Sequence, residues 1–487
     1  MIVENPIARP AAGRTSIRDH IVPAIVLCVL FLSTFVRDIP LNGGALASWR
    51  GELIAVFNVE TQFWLCGCVV AYLLFFVIAN WTTYPPRRIQ FHHPGHLDER
   101  NGLWIANLLL LPILVCALSR YVLQYKEAGG GTDAMVLLVC VVLNQWLVWI
   151  VAGNKRDTVE RTRKSFIGVF ILLGCVCVFL TPLVPDPNTI FRGQYRYHGE
   201  VRWSGIWLNP NIFGLLMSVV LIFSIARAWN ALKKAAYPEA MLWSIPAAIA
   251  VASVVKSYSR GAWVTTACGL LFLFWKSFNL RTNDVAEPDM PAQRFRPGKL
   301  LLWGAVGFVI GFVLICGLKV AADGQISFAQ RILSVFSNRD FSSQNRLASY
   351  QDGINMLLDH PWAGYGWDNI IAIHTALYLQ SGLSTGDAIK LNDFLMFALR
   401  FGVPIFALFL FYLWFWLASG DKAREHTQTD NSDILLCRTA TLMLAIGFMF
   451  TDGLFRLATG GAFWLFLTLS FDFAALPPAR KSNQSAG

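Results

Sequence analysis

The chain has 487 residues, of which 55% are hydrophobic and 14% are charged. A soluble domain carries about 25% charged residues, so this composition excludes an ordinary soluble enzyme or binding module. The formal net charge of +10 follows from where the basic residues lie relative to a membrane, and it requires no nucleic-acid partner.

Apolar runs that are long enough to cross a bilayer recur along the whole chain. Because lipid offers no partners for backbone N–H and C=O groups, each run is predicted to be a helix. No small-residue cleavage site follows the first run, which predicts an uncleaved anchor. The sequence therefore predicts a single all-α polytopic membrane domain, 1–487, of about twelve transmembrane helices. The predicted spans are 21–37, 62–81, 103–122, 134–152, 165–184, 206–228, 240–256, 261–278, 300–321, 393–418, 435–451 and 458–475.

The basic residues predict the orientation of these spans. Lys and Arg concentrate in the N-terminal segment and in the loops that follow even-numbered spans, which places both termini inside. The inner loop 279–299 is polar and contains prolines, so it is predicted to be a linker. Two outer segments stand out: 185–205, and 322–392 between the ninth and tenth spans. A loop as long as the second one is usually functional or has its own structure.

Residues 322–392 carry helical patterns. Leu347, Ile354 and Leu358 belong to an apolar face at helical spacing, and the predicted helix begins at a Ser342 or Ser343 cap and ends before Pro361. A shorter stretch, 326–336, is predicted to lie on the bilayer surface. The following "HPWAGYGWDN" (360–369) is predicted to form a tight turn.

Arginines occur on the outer side, where basic residues are expected to be scarce. Arg192, Arg196 and Arg202 lie in the first outer segment, Arg260 in the turn "KSYSRGAW", and Arg346 in "SSQNRLASY" near a predicted helix start. A cation beside the positive end of a helix dipole is unfavourable unless an anion joins it. Helix N–H groups with a guanidinium form a phosphate site, so we expect a diphosphate on a lipid. The alternative is contact with lipid headgroups alone.

The stretch "WLNPN" (207–211) is predicted to start a helix. Asn209 can cap the helix and Pro210 suits its first position, while Asn209 and Asn211 are also candidates for substrate binding.

The stretch "KLNDFLMFALRFG" (390–402) opens the tenth span with Asn392 and Asp393. Asn392 and Arg400 share one helix face, and Arg400 lies about 12 Å deeper, where a charge is expected to face the bundle interior. Asp452 and Arg456 near the outer ends of the last two spans are predicted to form a local ion pair.

These motifs together resemble the O-antigen ligase and O-antigen polymerase family of bacterial envelope enzymes. The matching stretches are "GIWLNPNIFG", "SYSRGAW", "NRLASYQDGINMLLDHPWAGYGWDN" and "LNDFLMFALRFGVP", in this order over roughly 160–415. The resemblance implies a multi-pass protein of the bacterial inner membrane with cytoplasmic termini and outer loops in the periplasm.

The resemblance also implies an activity. Family members resemble C-type glycosyltransferases that use an undecaprenyl-diphosphate-linked glycan donor and a glycan or lipid acceptor, with no metal and no cofactor. By resemblance, Arg202 or Arg196, Arg260 and Arg346 contact the diphosphate. Asn209, Asn211, Asn392 and Arg400 are candidates for substrate binding from their own positions in the sequence. Ligase relatives carry a His-Asn pair where this chain reads Leu391-Asn392.

Leucine neither accepts a proton nor donates a hydrogen bond, so acceptor activation needs another group. Asp393 can act as the base if burial raises its proton affinity. A histidine from the outer loops, His374 or His198, can reach the site instead. The protein can also be a divergent member that binds lipid-linked glycan without transfer. A small-solute transporter fits less well, because polar residues cluster at the outer ends of the spans.

Overall fold

The fold was determined as a computed structural model. The structure describes residues 21, 23–28, 30–31, 109–110, 112–113, 115–117, 119, 131–152, 156–179, 196–197, 200–207, 209–282, 341–367, 370–379, 386–418 and 432–470.

Helices dominate these residues. In chain order they are α1 (Gly131–Ala152), α2 (Arg156–Phe179), α3 (Pro210–Lys233), α4 (Tyr237–Lys256), α5 (Arg260–Thr282), α6 (Phe341–Asp359), α7 (Asp393–Ala418), α8 (Ser432–Gly447) and α9 (Leu457–Leu469). A helical turn, Ile370–Ile373, continues into the π-helical turn His374–Tyr378, and the 3-10 helices Gly205–Trp207 and Gly386–Leu391 precede α3 and α7.

Helix α3 lies at the centre of the described helices. It packs against α2, α4, α5 and α8, while α9 packs against α1 and α8. Every residue of α3 from Ile212 to Ser224 is buried, as expected for a helix enclosed by other helices. Phe223 of α3, Phe170 of α2 and Phe466 of α9 meet edge to face, with centroid distances of 5.1–5.9 Å. Aromatic packing therefore joins three helices that are distant in sequence.

Four of the described helices are long and apolar enough to cross a membrane: Thr158–Phe179, Pro210–Lys233, Tyr237–Lys256 and Asp393–Trp416. They coincide with predicted spans, so the prediction of a helical membrane protein is confirmed. The predictions for 62–81, 300–321 and 326–336 lie outside the described residues, as do most of the linker 279–299 and of the span 103–122.

Two local features differ from the sequence expectations. The segment 185–205 contains a small antiparallel ribbon, Arg196–Tyr197 paired with Glu200–Val201, in addition to the helices. Helix α6 begins at Phe341, so Ser342 and Ser343 lie inside it and do not cap it. Arg346 is therefore in the second turn of α6. The prediction that it lies in the first turn, at the positive end of the helix dipole, is wrong.

Helix α7 is interrupted where the tight turn after α6 contacts it. Gly402 has φ 78° and ψ 171°, which are not helical values. The backbone of the turn pairs with α7 here: Tyr365 N–H donates to Leu399 O (2.7 Å), and Val403 N–H donates to Pro361 O (2.7 Å). The interruption frees α7 backbone groups for the turn, and it fixes α6 along the first part of α7.

Candidate functional site

The turn between α8 and α9, residues 448–456, lies where several predicted motifs meet. We call it the 448–456 turn. Asp393 N–H donates to Phe448 O (2.8 Å), and Tyr350 Oη donates to Met449 O (3.0 Å). Arg346 Nη1 donates to Phe450 O (3.1 Å). The turn thus links the start of α7 to the face of α6 that carries Arg346.

The start of α3 also reaches this turn. Asn209 caps α3: its Oδ1 accepts from the N–H groups of Asn211 (2.9 Å) and Ile212 (3.3 Å), which confirms the predicted cap. Its amide Nδ2 donates to Asp452 Oδ1 (3.4 Å). Asp452 in turn forms the predicted ion pair with Arg456 at 2.6 Å. A capping residue therefore also orients a carboxylate of the turn.

Arg202 holds the segment before α3 against the turn between α4 and α5. Its Nε donates to Ser257 O (2.9 Å) and its Nη2 to Asn211 Oδ1 (3.2 Å). A Cβ added to Gly214 would lie 2.7 Å from Ser257 Oγ, so only a small residue fits at this contact. The stretches "WLNPN" and "SYSRGAW" are neighbours in space. Arg196 lies in the first strand of the ribbon.

The segments that carry Arg260 and Arg346 reach the 448–456 turn from two different helices. Arg260 is the first residue of α5 and is half-buried. A Cβ on the adjacent Gly261 would lie 2.8 Å from Phe450 Cβ. Since Arg346 donates to Phe450 O, both arginine-bearing segments contact the same residue. Burial raises the pKa of the Tyr350 phenol and the Arg346 guanidinium opposes this rise, so Tyr350 is a neutral donor at ordinary pH.

Asp393 is enclosed at the start of α7. The residue is only 1% exposed, and its Oδ2 accepts a hydrogen bond of 2.6 Å from the N–H of Leu454. Asp452 is the more accessible carboxylate, with a side chain 21% exposed. The two aspartates are therefore placed differently: one is held by the backbone of the turn, and the other projects from it.

The other predicted residues of this stretch make local contacts. Asn392 Oδ1 accepts from the N–H of Leu395 (3.1 Å), as a cap of α7 does. The carbonyl oxygen of Leu391 lies 3.4 Å from Tyr350 Oη, whose single proton is donated to the closer Met449 O.

Arg400 faces the interior, as predicted from its depth, and is 3% exposed. Its Nη2 forms an ion pair with Asp133 Oδ2 of α1 (2.7 Å). Its guanidinium carbon lies 4.9 Å from the ring centroid of Trp367. These contacts fasten α7 to α1 and to the turn after α6.

His374 is placed in a separate buried pair. Its Nε2 lies 3.0 Å from Asp352 Oδ2, and the two side chains are 0% and 2% exposed. The pair joins α6 to the π-helical turn. An acceptor cannot reach His374 in this arrangement, and His198 lies outside the described residues.

The arrangement combines permanent positive charge with one accessible carboxylate. A guanidinium group can bind anionic oxygens in a planar fork, and a carboxylate can accept a proton from a hydroxyl. Sequence reasoning missed the role of Tyr350 and the linking role of Asp452. The available signal for Asp452 was the polar triplet "TDG" between two apolar helices.

Comparison with known proteins supports the motif assignment. Residues 245–410 match the family described as O-Antigen ligase. This match spans Arg260, Arg346, Asn392, Asp393 and Arg400. The chain is also similar to the General O-oligosaccharyltransferase of Acinetobacter baylyi (strain ATCC 33305 / BD413 / ADP1), with 22% identity over 277 residues, which are 54% of this chain and 43% of that protein. The aligned region thus spans less than half the length of that relative.

Proposed function

We propose, from the similarity of residues 245–410 to the O-antigen ligase family, that this protein transfers a glycan in the synthesis of a bacterial envelope polysaccharide. The donor is a glycan on an undecaprenyl-diphosphate carrier, and transfer takes place at the periplasmic face of the inner membrane. The similarity to an O-oligosaccharyltransferase supports a hydroxyl group, on a glycan or lipid acceptor, as the attacking group.

The observation that carries this proposal is the meeting of Arg260 and Arg346 segments at Phe450. Arg346 donates to Phe450 O, and Gly261 approaches Phe450 Cβ. Guanidinium groups stay charged at any working pH, so they stabilise the negative charge that develops on a leaving diphosphate. Arg202 is held by Ser257 O and Asn211, and we assign it to positioning this wall of the site.

The reaction that fits this site is a single displacement. The acceptor oxygen forms a bond to the anomeric carbon, and the bond from that carbon to the diphosphate oxygen breaks. The diphosphate leaves with the electron pair of this bond, beside the arginines. The proton of the acceptor hydroxyl passes to a carboxylate of the protein.

We assign that carboxylate to Asp452. Asp393, the first candidate base from the sequence, is 1% exposed and accepts the Leu454 N–H. Asp452 is 21% exposed, and both Asn209 and Arg456 orient its oxygens. Its accessibility compensates for the leucine at position 391. Asp393 then positions the turn and does not itself accept the proton.

The test is transfer by the purified protein in nanodiscs, with an undecaprenyl-diphosphate-linked glycan as donor. Arg260→Ala and Arg346→Ala should each reduce the rate by about 10²–10³, as expected for losing a preorganised charge donor. Arg346→Lys should recover part of the rate, because it keeps the charge and loses the fork. Lys164→Ala is the control, since this exposed side chain pairs only locally with Glu160. Full transfer by the Arg260→Ala/Arg346→Ala double variant would refute the proposal.

The position of Leu391 supports a second candidate. The carbonyl oxygen of Leu391 lies near Tyr350 Oη, and the leucine side chain cannot take part in proton transfer. A protein that binds lipid-linked glycan without transferring it would retain donor binding and show no turnover in the same assay. Loss of donor binding in Arg346→Ala with no transfer by the unmodified protein would favour this candidate.

A further inference from the structure

The outward face of α6 carries an apolar row that the glycan-transfer proposal does not use. Leu347, Ile354 and Leu358 are 68%, 52% and 69% exposed. Their spacing of seven and four residues places them on one face of the helix. Trp362, which is 80% exposed, follows in the turn after α6. We call these four residues the α6 stripe.

The opposite face of α6 faces the protein. Ser349 and Met356 are 0% exposed, and a Cβ on Gly353 would lie 2.6 Å from Leu395 of α7. The exposed side chains between 344 and 358 that flank the stripe are amides: Gln344, Gln351 and Asn355. Asp359, the last residue of α6, is also exposed and accepts a hydrogen bond from Tyr378 Oη. The stripe is therefore a largely apolar surface that points away from the core and has one acidic residue at its end.

The stripe is continuous with an exposed apolar face of α7. Val403 N–H donates to Pro361 O (2.7 Å), which sets Trp362 beside Val403. In α7, residues 393–402 are buried or half-buried, whereas Val403, Leu410 and Trp414 are 44%, 42% and 61% exposed. Those three residues belong to a candidate membrane span, Asp393–Trp416. An exposed apolar surface of this candidate span thus begins at Val403, and Trp362 lies at its border.

From this continuity we propose that the α6 stripe contacts the lipid bilayer. Tryptophan prefers the interface between water and hydrocarbon, which suits the place of Trp362 at the border. An apolar helix face next to a transmembrane helix inserts at this boundary. Contact with the bilayer then fixes the position of α6 relative to the membrane surface. It also fixes Arg346 and Tyr350, which lie on the side of α6 that faces the protein. The inference does not depend on the proposed reaction.

The experiment places the fluorescent amino acid Anap at Leu358 by codon suppression in the full-length protein. The protein is reconstituted into phosphatidylcholine nanodiscs, with brominated acyl chains in one sample and unbrominated chains in the other. Anap at Leu358 and at Ile354 should emit at shorter wavelength and lose intensity with brominated lipid. Anap at Lys390, an exposed residue of the 3-10 helix before α7, is the control and should respond to aqueous iodide only.

Two outcomes overturn the proposal. Quenching of the Leu358 probe by iodide and not by brominated lipid would show that the stripe is in water. Protection from both quenchers would show that a second copy or another protein covers it, and a photo-crosslinking residue at Ile354 would then trap that protein. Both readouts are independent of glycan transfer, so the failure of one proposal is distinguishable from the failure of the other.

Discussion

The carboxylate of Asp393 accepts a hydrogen bond of 2.6 Å from the backbone N–H of Leu454, 61 residues further along the chain. A second bond runs the other way, from Asp393 N–H to Phe448 O (2.8 Å). This residue therefore closes both ends of the 448–456 turn onto the start of α7. The 448–456 turn also contains Asp452. The two aspartates therefore have separable roles that mutagenesis can test.

Asp393→Asn should keep most of the transfer activity, because the amide oxygen still accepts from Leu454 N–H. Asp393→Ala leaves that buried N–H without an acceptor and should lower the free energy of unfolding by about 1–3 kcal/mol. Asp452→Asn should abolish transfer with little change in the unfolding temperature, since it removes the proton acceptor. Thermal unfolding in detergent and the nanodisc transfer assay provide the two measurements. Loss of transfer in Asp393→Asn with unchanged stability would return the role of base to Asp393.

Asn209 combines a helix cap with a contact to Asp452, and two substitutions separate these functions. Asn209→Ala loses both and should lower the free energy of unfolding by about 1 kcal/mol. Asn209→Ser retains a capping oxygen and loses the amide donor to Asp452, so its stability should stay near that of the unmodified protein. Both variants should transfer glycan more slowly. If Asn209→Ser transfers at the full rate, the contact with Asp452 has no part in the reaction.

The ion pair between Arg400 and Asp133 should contribute to stability and not to donor affinity. The Arg400 side chain is 4% exposed and the Asp133 side chain is 24% exposed. Asp133→Asn leaves a buried guanidinium without its counter-charge, which typically costs about 3–5 kcal/mol, and partial exposure places this pair at the lower end. The double variant Arg400→Met/Asp133→Asn should cost less than the sum of its two single changes, Arg400→Met and Asp133→Asn.

The two single variants and the double variant form a double-mutant cycle. Denaturant unfolding measures the stability of each, and donor binding is measured in parallel. Additive losses of stability would show that the two side chains act independently. A loss of donor binding in Arg400→Met beyond its loss of folded protein would support the substrate-binding role that the sequence suggested.

Two glycines allow the backbones of α7 and of the turn after α6 to pack closely: Gly402, where α7 is interrupted, and Gly364 in the turn. Both have positive φ, 78° and 60°, and an added Cβ would lie 2.5 Å from Trp362 O or 2.4 Å from Leu399 O. Backbone oxygens in hydrogen-bonded segments cannot move aside easily. Each Gly→Ala change should therefore lower the unfolding temperature, at a cost above the roughly 1 kcal/mol of the positive-φ backbone alone.

Gly168→Ala is the matched control for these glycines. It lies within α2, and nothing stands within 4 Å of its added Cβ. Alanine favours the helix by about 0.5–1 kcal/mol there, so this variant should be at least as stable as the unmodified protein. Unfolding followed by intrinsic fluorescence compares the three variants. Unchanged stability in Gly402→Ala would show that this close packing is adaptable.

Local chemistry explains which parts of the site the sequence predicted. An Asn-Pro pair before an apolar run specifies a cap and a helix start from adjacent residues alone, and Asn209 does this. The start of α6 was misplaced because Ser342 and Ser343 are good caps in isolation, yet the helix extends to Phe341. Packing of α6 against α7 and the 3-10 helix before it can lengthen a helix beyond a local capping signal.

The contacts across the 448–456 turn could not be predicted from the pattern of side chains. Arg346 and Tyr350 donate to the carbonyls of Phe450 and Met449. Every residue carries a carbonyl, so nothing in the identity of these two residues marks them as acceptors. The burial of Asp393 likewise depends on Leu454, a partner that only the folded chain brings near.

The use of carbonyls at Met449 and Phe450 makes the length of the 448–456 turn matter in addition to the identity of Asp452. Met449 contributes its carbonyl to Tyr350 while its side chain is 46% exposed. Exchanging that side chain leaves the bond in place, whereas inserting or deleting one residue moves the acceptors out of step with Arg346, Tyr350 and Asp393 together. Substitution of Met449 should therefore be tolerated and its deletion should not, whereas at Asp452 both changes should abolish transfer.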